Sequence, residues 1–279
     1  MGSIEQFQQI KRTGKVTGNL DVLGLPGDEK RLCILWMYPD ILSLHGGRGD
    51  IMALLRFATA AGLPVEIRRV EQPADPIPLE QADMLWFCCG DLTGMPDLIR
   101  ALEPKKEALQ AFAGAGKVLV ANGSSGAIFA RQLTLLDGQS VAGLGLLGMN
   151  WTERSSVHGD DLWLDAMDGI EVIGNEIKLA DVTLEPGQAP FGKVHYGRGN
   201  CGDGYEGAKT GNVIYTACLG PVLVRNPALA MALLRRGAEA AGMTIDARRF
   251  VPDNGDIAME NQGLADARRF ITQKMNAKK

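Results

Sequence analysis

The feature that most constrains this chain is an alternation, in its first half, of short and almost continuously apolar runs with stretches of helical periodicity. Leu32–Trp36 (LCILW), Val65–Val70, Met84–Cys88 (MLWFC) and Lys117–Ala121 (KVLVA) are each of strand length. The apolar runs among them predict buried strands, and Val65–Val70 (VEIRRV) reads as one more strand. After the first of them, Ile51, Leu54, Leu55 and Ala58 fall on one face of a helix, with Asp50 as the expected N-cap and Gly62 as the expected stop. A second helical stretch runs from Pro96 and is interrupted by Pro104. Strands separated by helices imply βαβ units with right-handed crossovers, hence a mostly parallel sheet covered by helices on both faces. Sheets of this class bind ligands at the carboxyl ends of their strands. Three loops leave those ends: Tyr38–Asp50, Cys89–Pro96 and Asn122–Gly126.

The pattern changes from about Leu135. Short segments of strand character separated by glycine turns follow, in LLGMNWTERSS, LWLDAM, IEVIGNEIKLADVTL and FGKVHYGRGN. This predicts β-rich additions to the same core. Asn212–Ala217 reads as one more strand, and Asn226-Pro227 starts a helix with Leu229 and Leu233 facing inward. The expected organisation is an N-terminal arm or added hairpin over 1–30, with a short amphipathic stretch at Ile4 to Ile10, an α/β domain over 31–249, and a polar C-terminal extension over 250–279 lying on the surface.

Composition narrows the partners. With 279 residues, 46% of them hydrophobic, the chain can bury a sizeable core. A formal charge of −4 gives no general basic field, so nucleic acid is not expected. No run approaches the roughly 18 apolar residues of a membrane span, and MGSIEQFQQIKR lacks the apolar core of a secretory signal, so a cytoplasmic protein is expected. The five cysteines form no CxxC pair and the three histidines no HExxH, so neither a metal nor a cofactor is expected. GxxxxGK[ST] is missing, and no GxGxxG opens a helix after a strand.

The most informative stretch is Val118 to Ile128, VLVANGSSGAI, an apolar strand that ends in small residues and opens into a helix. That is the outline of a nucleophile elbow, whose apex residue points into the site. On this reading the apex is Asn122, an amide that cannot serve as a nucleophile. Ser124 or Ser125 as substitutes would sit on the helix rather than at the apex; otherwise Gly123, Ser124 and Ser125 supply N–H groups and caps.

MYPDILSLHGGRGDIMALLRFATAAG resembles the first strand, loop and helix of class I glutamine amidotransferase-like subunits of the cobyric acid synthase group, nearest to the glutaminase subunit of lipid II isoglutaminyl synthase. Tyr38, Pro39, Asp40 and Arg48 stand at the matching positions. Phe191 to Gly207 is similar to that family's Gly-x-Gly-Asn-x-Gly-x-Asp-Gly-x-Glu-Gly segment, and Gly220-Pro-Val-Leu-Val-Arg-Asn-Pro227 to its Gly-Pro-x-Leu-x-x-Asn-Pro segment. The resemblance covers Leu32 to Ala241. It implies a flavodoxin-like three-layer sandwich and a chemistry in which a cysteine thiolate attacks glutamine, a histidine moves the proton, and ammonia passes to a partner.

At the family's catalytic positions the sequence departs from this pattern. Aligning Cys-Gly-Gly-x-Gln puts Asn122 at the cysteine and Gly126 at the glutamine, and aligning Leu-His-Gly-Pro puts Leu219 at the histidine. Gly174-Asn-Glu-Ile-Lys178 resembles the Gly-Tyr-Glu-Ile-His of the cobyric acid synthase branch with Lys178 for its histidine. The resemblance further implies an oxyanion loop at Cys88-Cys89-Gly90-Asp91, and a pocket bounded by Cys89, Gly90, Gly123, Ser124, Ser125, Arg48, Arg198 and Asn200. Cys218, next to Leu219 on a strand, is expected to face away from the site, and His195 to serve as a surface or partner-contact histidine.

Loss of both members of a nucleophile–base unit implies a degenerate amidotransferase-like protein that binds or regulates, with Asn122 and Lys178 offered to a small polar ligand. The alternatives are an enzyme with a relocated nucleophile, Cys89 or an elbow serine, and a functioning amidotransferase hidden by a local register error. If the resemblance extends to assembly, an ATP-dependent partner resembling a Mur ligase is implied, with cell-wall or cobalamin-type cofactor metabolism as the setting.

Overall fold

The computed structural model describes residues 15–17, 20–24, 30–251 and 255–277. The chain begins with β1 (Lys15–Thr17), β2 (Leu20–Gly24), β3 (Leu32–Met37), α1 (Gly47–Ala61), β4 (Val65–Val70) and β5 (Met84–Phe87). It continues through α2 (Met95–Leu102), α3 (Lys106–Gly114), β6 (Val118–Asn122) and the short α4 (Gly126–Phe129). A second sheet follows as β7 (Gln132–Thr134), β8 (Ser140–Ala142), β9 (Met149–Ala166), β10 (Glu171–Leu184), β11 (Gly192–Tyr196) and β12 (Tyr205–Glu206). The chain returns to the first sheet with β13 (Ala208–Thr210) and β14 (Val213–Thr216), and ends in α5 (Val222–Arg225), α6 (Pro227–Ala240) and α7 (Ala258–Ala277). The Ile4–Ile10 stretch lies outside the described residues.

The larger sheet runs β1-β2-β4-β3-β5-β6-β14-β13, and its five central strands, β4 to β14, pair in parallel. Numbered by appearance, those five lie in the order 2-1-3-4-5, the flavodoxin-like doubly wound arrangement. Every residue of β3, β5, β6 and β14 is buried, because α1 and α6 pack together on the sheet while α2 and α4 form another packed pair. The fold is thus mixed α/β with a parallel-rich sheet between helical layers. Antiparallel β2 extends the edge beside β4, and β1 pairs with β2.

The second half differs from the short strands expected of it. Met149–Ala166 and Glu171–Leu184 are single long strands forming one antiparallel hairpin, with a register shift between Lys178 and Ala180. Between those pairs β9 carries four residues, Arg154 to Val157, against the single Leu179 of β10, and an irregularity in β9 absorbs the excess while both strands remain continuous past it. The 250–279 region carries a helix that its polarity hid: α7 buries Ile271, while Lys274 pairs with Asp160 and Asp161 of β9 and Arg268 with Glu171 of β10.

Two helix starts also differ. Asp50 does not cap α1, which begins earlier with Gly46 in the left-handed conformation at its N-cap. The Asp50 carboxylate is 1% exposed and accepts from the Leu223 N–H at 2.7 Å, so it holds α5 in place, and burial pushes its carboxyl up to about 7. The Gly-Gly-Arg-Gly turn allows this approach: a Cβ at Gly49 would fall 2.5 Å from the Pro221 ring. Asn226 stands at the N-cap of α6 as expected, yet its side chain bonds to both backbone groups of Ile173 and to the Val222 carbonyl rather than capping the helix.

Candidate functional site

The loops after β3, β5, β6 and β14 meet β9 and β10 around a cavity of about 60 Å³ at the carboxyl end of the parallel sheet. One wall is the turn after β6. Asn122 has ordinary extended backbone (φ −115°, ψ 130°), and its amide donates to the Cys218 carbonyl at 2.7 Å and, more distantly, to Thr216. The left-handed residue of the turn is Gly123, with φ +65°. The elbow apex thus lies one residue beyond the position assigned from sequence, because Asn122 completes the strand pairing opposite Thr216 and the chain bends only after it.

A Cβ at Gly123 would fall 2.5 Å from Cys89 Sγ and 2.9 Å from Leu219 Cδ2. Those two side chains occupy the space into which an apex side chain would project. Ser124 Oγ accepts from the Gly90 N–H at 3.0 Å, donates to the Gly90 carbonyl, and lies 3.5 Å from Cys89 Sγ. Ser125 Oγ lies within hydrogen-bonding reach of the Phe87 and Asn122 carbonyls. Burial raises the Cys89 thiol above its ordinary range, and the Ser124 contacts offset this only in part. Among the described residues no histidine hydrogen-bonds to Cys89 or Ser124; His45 lines the cavity but is exposed, and His158 pairs with Glu176.

The opposite wall comes from β10, β14 and the start of β9. Lys178 is 3% exposed, and burial depresses its amine against the pull of Glu206, Glu176 and Asp181. Tyr215 and Trp151 lie with ring centroids 5.4 Å apart and pack on Gly126, where a Cβ would come within 2.3 Å of the tyrosine ring. Leu44, Ile177 and Leu179 form a half-exposed apolar rim.

No protein-family model and no curated protein matches this sequence. Among solved structures, a glutamine amidotransferase is 16% identical with a TM-score of 0.46, covering 75% of this chain and 99% of its own. PurLQS from Thermotoga maritima is 13% identical at TM-score 0.48, covering 76% of this chain and 97% of that one. A second glutamine amidotransferase, also from Thermotoga maritima, is 12% identical at TM-score 0.47, with 86% and 96% covered. The fold assignment rests on the strand order.

Of the residues singled out in the sequence, Cys89, Gly90, Gly123, Ser124, Lys178 and Leu219 line the cavity together. Arg48 lies elsewhere, in a cleft with Trp36, Pro39, Asp40 and Arg69. Arg198 pairs with Asp181, and Asn200 is fully buried with its amide closing the glycine-rich loop onto both backbone groups of Gly207. His195 pairs with Asp165 at 2.8 Å on β11, and Cys218 faces Gly174 rather than the cavity. Sequence reading missed Trp151 and Tyr215, which sit in no motif, and did not single out His45 within the Tyr38–Asp50 loop. The one cue to the first two is Gly126, the small residue that leaves room for both rings. No helix of the described residues is long and apolar enough to cross a membrane.

Proposed function

We propose that this chain is a glutamine amidotransferase-like protein that does not hydrolyse glutamine and acts as a small-ligand binding or regulatory subunit. The observation that carries this reading is the glycine at position 123. The one turn residue in the left-handed conformation bears no side chain, and the volume it would use is filled by Cys89 and Leu219. The substitute nucleophiles are disfavoured by their surroundings: Cys89 is held as a thiol by burial, and Ser124 is occupied by Gly90. Attack on an amide carbonyl needs a nucleophile paired with a base, and this cavity offers neither pairing among the described residues. On this reading any ATP-dependent chemistry, of the Mur ligase type or another amidoligase type, belongs to a partner, with the apolar rim of Leu44, Ile177 and Leu179 as the natural surface for it.

The test is incubation of the purified chain with glutamine, alone and with candidate ligase partners, following glutamate release. The expected outcome is no release above the uncatalysed rate. Turnover abolished by Cys89→Ala or Ser124→Ala would replace this reading with that of a relocated nucleophile.

A further inference from the structure

The cavity contains a lysine that has no hydrogen-bond partner among the described residues. Along β10, Glu176, Lys178, Ala180 and Val182 alternate onto the buried face. A lysine in such a position loses the hydration of its ammonium and needs a partner in return. The nearby carboxylates are committed elsewhere. Glu176 accepts from the backbone N–H groups of Arg198 and Gly199, Glu206 from Thr216 and Ala217, and Asp181 from Arg154 and Arg198. Among the described residues Lys178 Nζ has no hydrogen-bond partner, and neither do Tyr215 Oη and Trp151 Nε1, all three buried in residues that line one small cavity.

We propose that this cavity receives the carboxylate of a small monoanionic ligand, with Lys178, Tyr215 and Trp151 as its donors. The inference rests on the non-hydrolysing reading above and names the ligand class of that same site. Three unused donors match a group that only accepts. A space of about 60 Å³ holds a few waters, or one carboxylate with a short stem. Charge selects the monoanion: Glu206 and Glu176 both act electrostatically on Lys178, so a dianion such as phosphate would meet two carboxylates for one ammonium. Leu219 and Ala217 in the lining favour an aliphatic stem.

Burial depresses the Lys178 amine, and a carboxylate in contact favours its charged form again. The groups acting on Lys178 are Glu206 of β12, Glu176 and Asp181 of β10, and Arg198 from the loop after β11, while Asp91 and His45 stand in the cavity lining.

The experiment is calorimetric titration of the full chain at pH 8 with propionate, acetate and inorganic phosphate. Saturable propionate binding, tighter than phosphate, is expected. Lys178→Met should weaken it by about 10- to 100-fold, and Tyr215→Phe by a few-fold. Absence of saturable carboxylate binding, tighter binding of phosphate, or unchanged affinity in Lys178→Met would each overturn the proposal. If Lys178→Met does not fold, Tyr215→Phe decides, and unchanged propionate affinity in it counts against the proposal. Glutamate release would end the non-hydrolysing reading alone, and failure to bind propionate would end this inference alone.

Discussion

The two walls of the cavity treat their polar side chains in opposite ways. On the turn after β6, Asn122, Ser124 and Ser125 are all within hydrogen-bonding reach of backbone groups. On the wall built by β10, β14 and β9, Lys178, Tyr215 and Trp151 each keep a buried polar atom unbonded. Unsatisfied buried polar groups cost stability and persist where something other than the fold uses them. The difference teaches that the turn after β6 is a structural joint, while the unbonded donors of the cavity lie on the wall contributed by the second sheet and β14.

The largest effect expected of this contrast is at the joint. Gly123→Ala forces a β-carbon onto left-handed backbone and against Cys89 Sγ at 2.5 Å. It should cost about 3–5 kcal/mol in denaturant unfolding, from conformational strain and overpacking together. Adding Cys89→Ala should return the share of the packing cost due to Sγ, leaving the conformational part and the contacts with the residue-89 Cβ at 2.8 Å and Leu219 Cδ2 at 2.9 Å. Additive costs would mean that the two side chains do not compete for one space. Next is Asn122→Ala, which leaves the Cys218 carbonyl without its donor and should cost about 2 kcal/mol, whereas no loss would break the claim that Asn122 is structural.

The far wall should reveal itself through pH. Glu206 is fully buried and its carboxyl is pushed up to about 7 by that burial. With a folded value above the unfolded one, the unfolded chain releases its proton first. Stability is therefore greatest below the ordinary carboxyl range and falls as pH rises toward about 7, by roughly 1–3 kcal/mol for one such group. Asp50, also pushed up to about 7, contributes in the same window. The Glu206 share is read as the difference in slope between wild type and Glu206→Gln, and an unchanged slope would remove Glu206 from the account.

How much of this was legible in sequence follows the same division. The parallel core could be read because doubly buried strands leave unbroken apolar runs, as in Leu32–Met37, while Val65–Val70 (VEIRRV), only partly buried, is a strand over the same residues as read from sequence. The long hairpin could not, because its strand Met149–Ala166 is buried only at its ends and carries exposed polar residues between. Helix α7 was hidden for a related reason: with Ile271 as its only buried residue, it is held by ion pairs that leave no apolar stripe. At the site, chemistry-bearing residues were found where a turn motif marks them, as with Gly123 and Ser124. Arg198 and Asn200 belong to a matching motif, yet their polar groups are used within the loop itself. Tyr215 and Trp151 had no local signature, since their meeting depends on two sheets coming together over Gly126.

The smallest of these effects has the most telling sign. Lys178→Met keeps most of the apolar stem, removes the depressed amine, and leaves Glu206 and Glu176 with the partners they already have. If the lysine were part of a stabilising network, its loss would destabilise the protein, as breaking a buried pair does. The absence of any hydrogen bond to Nζ among the described residues predicts the reverse, a gain of about 1 kcal/mol near neutral pH, because a desolvated amine without a hydrogen-bond partner is a cost to the fold. The gain should shrink as pH is raised toward the ordinary lysine range: the folded value lies below the unfolded one, so the wild type recovers stability with rising pH in that window. Urea titrations of both proteins at neutral pH and near pH 10 measure this directly. A destabilised Lys178→Met would place the lysine among the structural groups of the first wall and erase the contrast between the two.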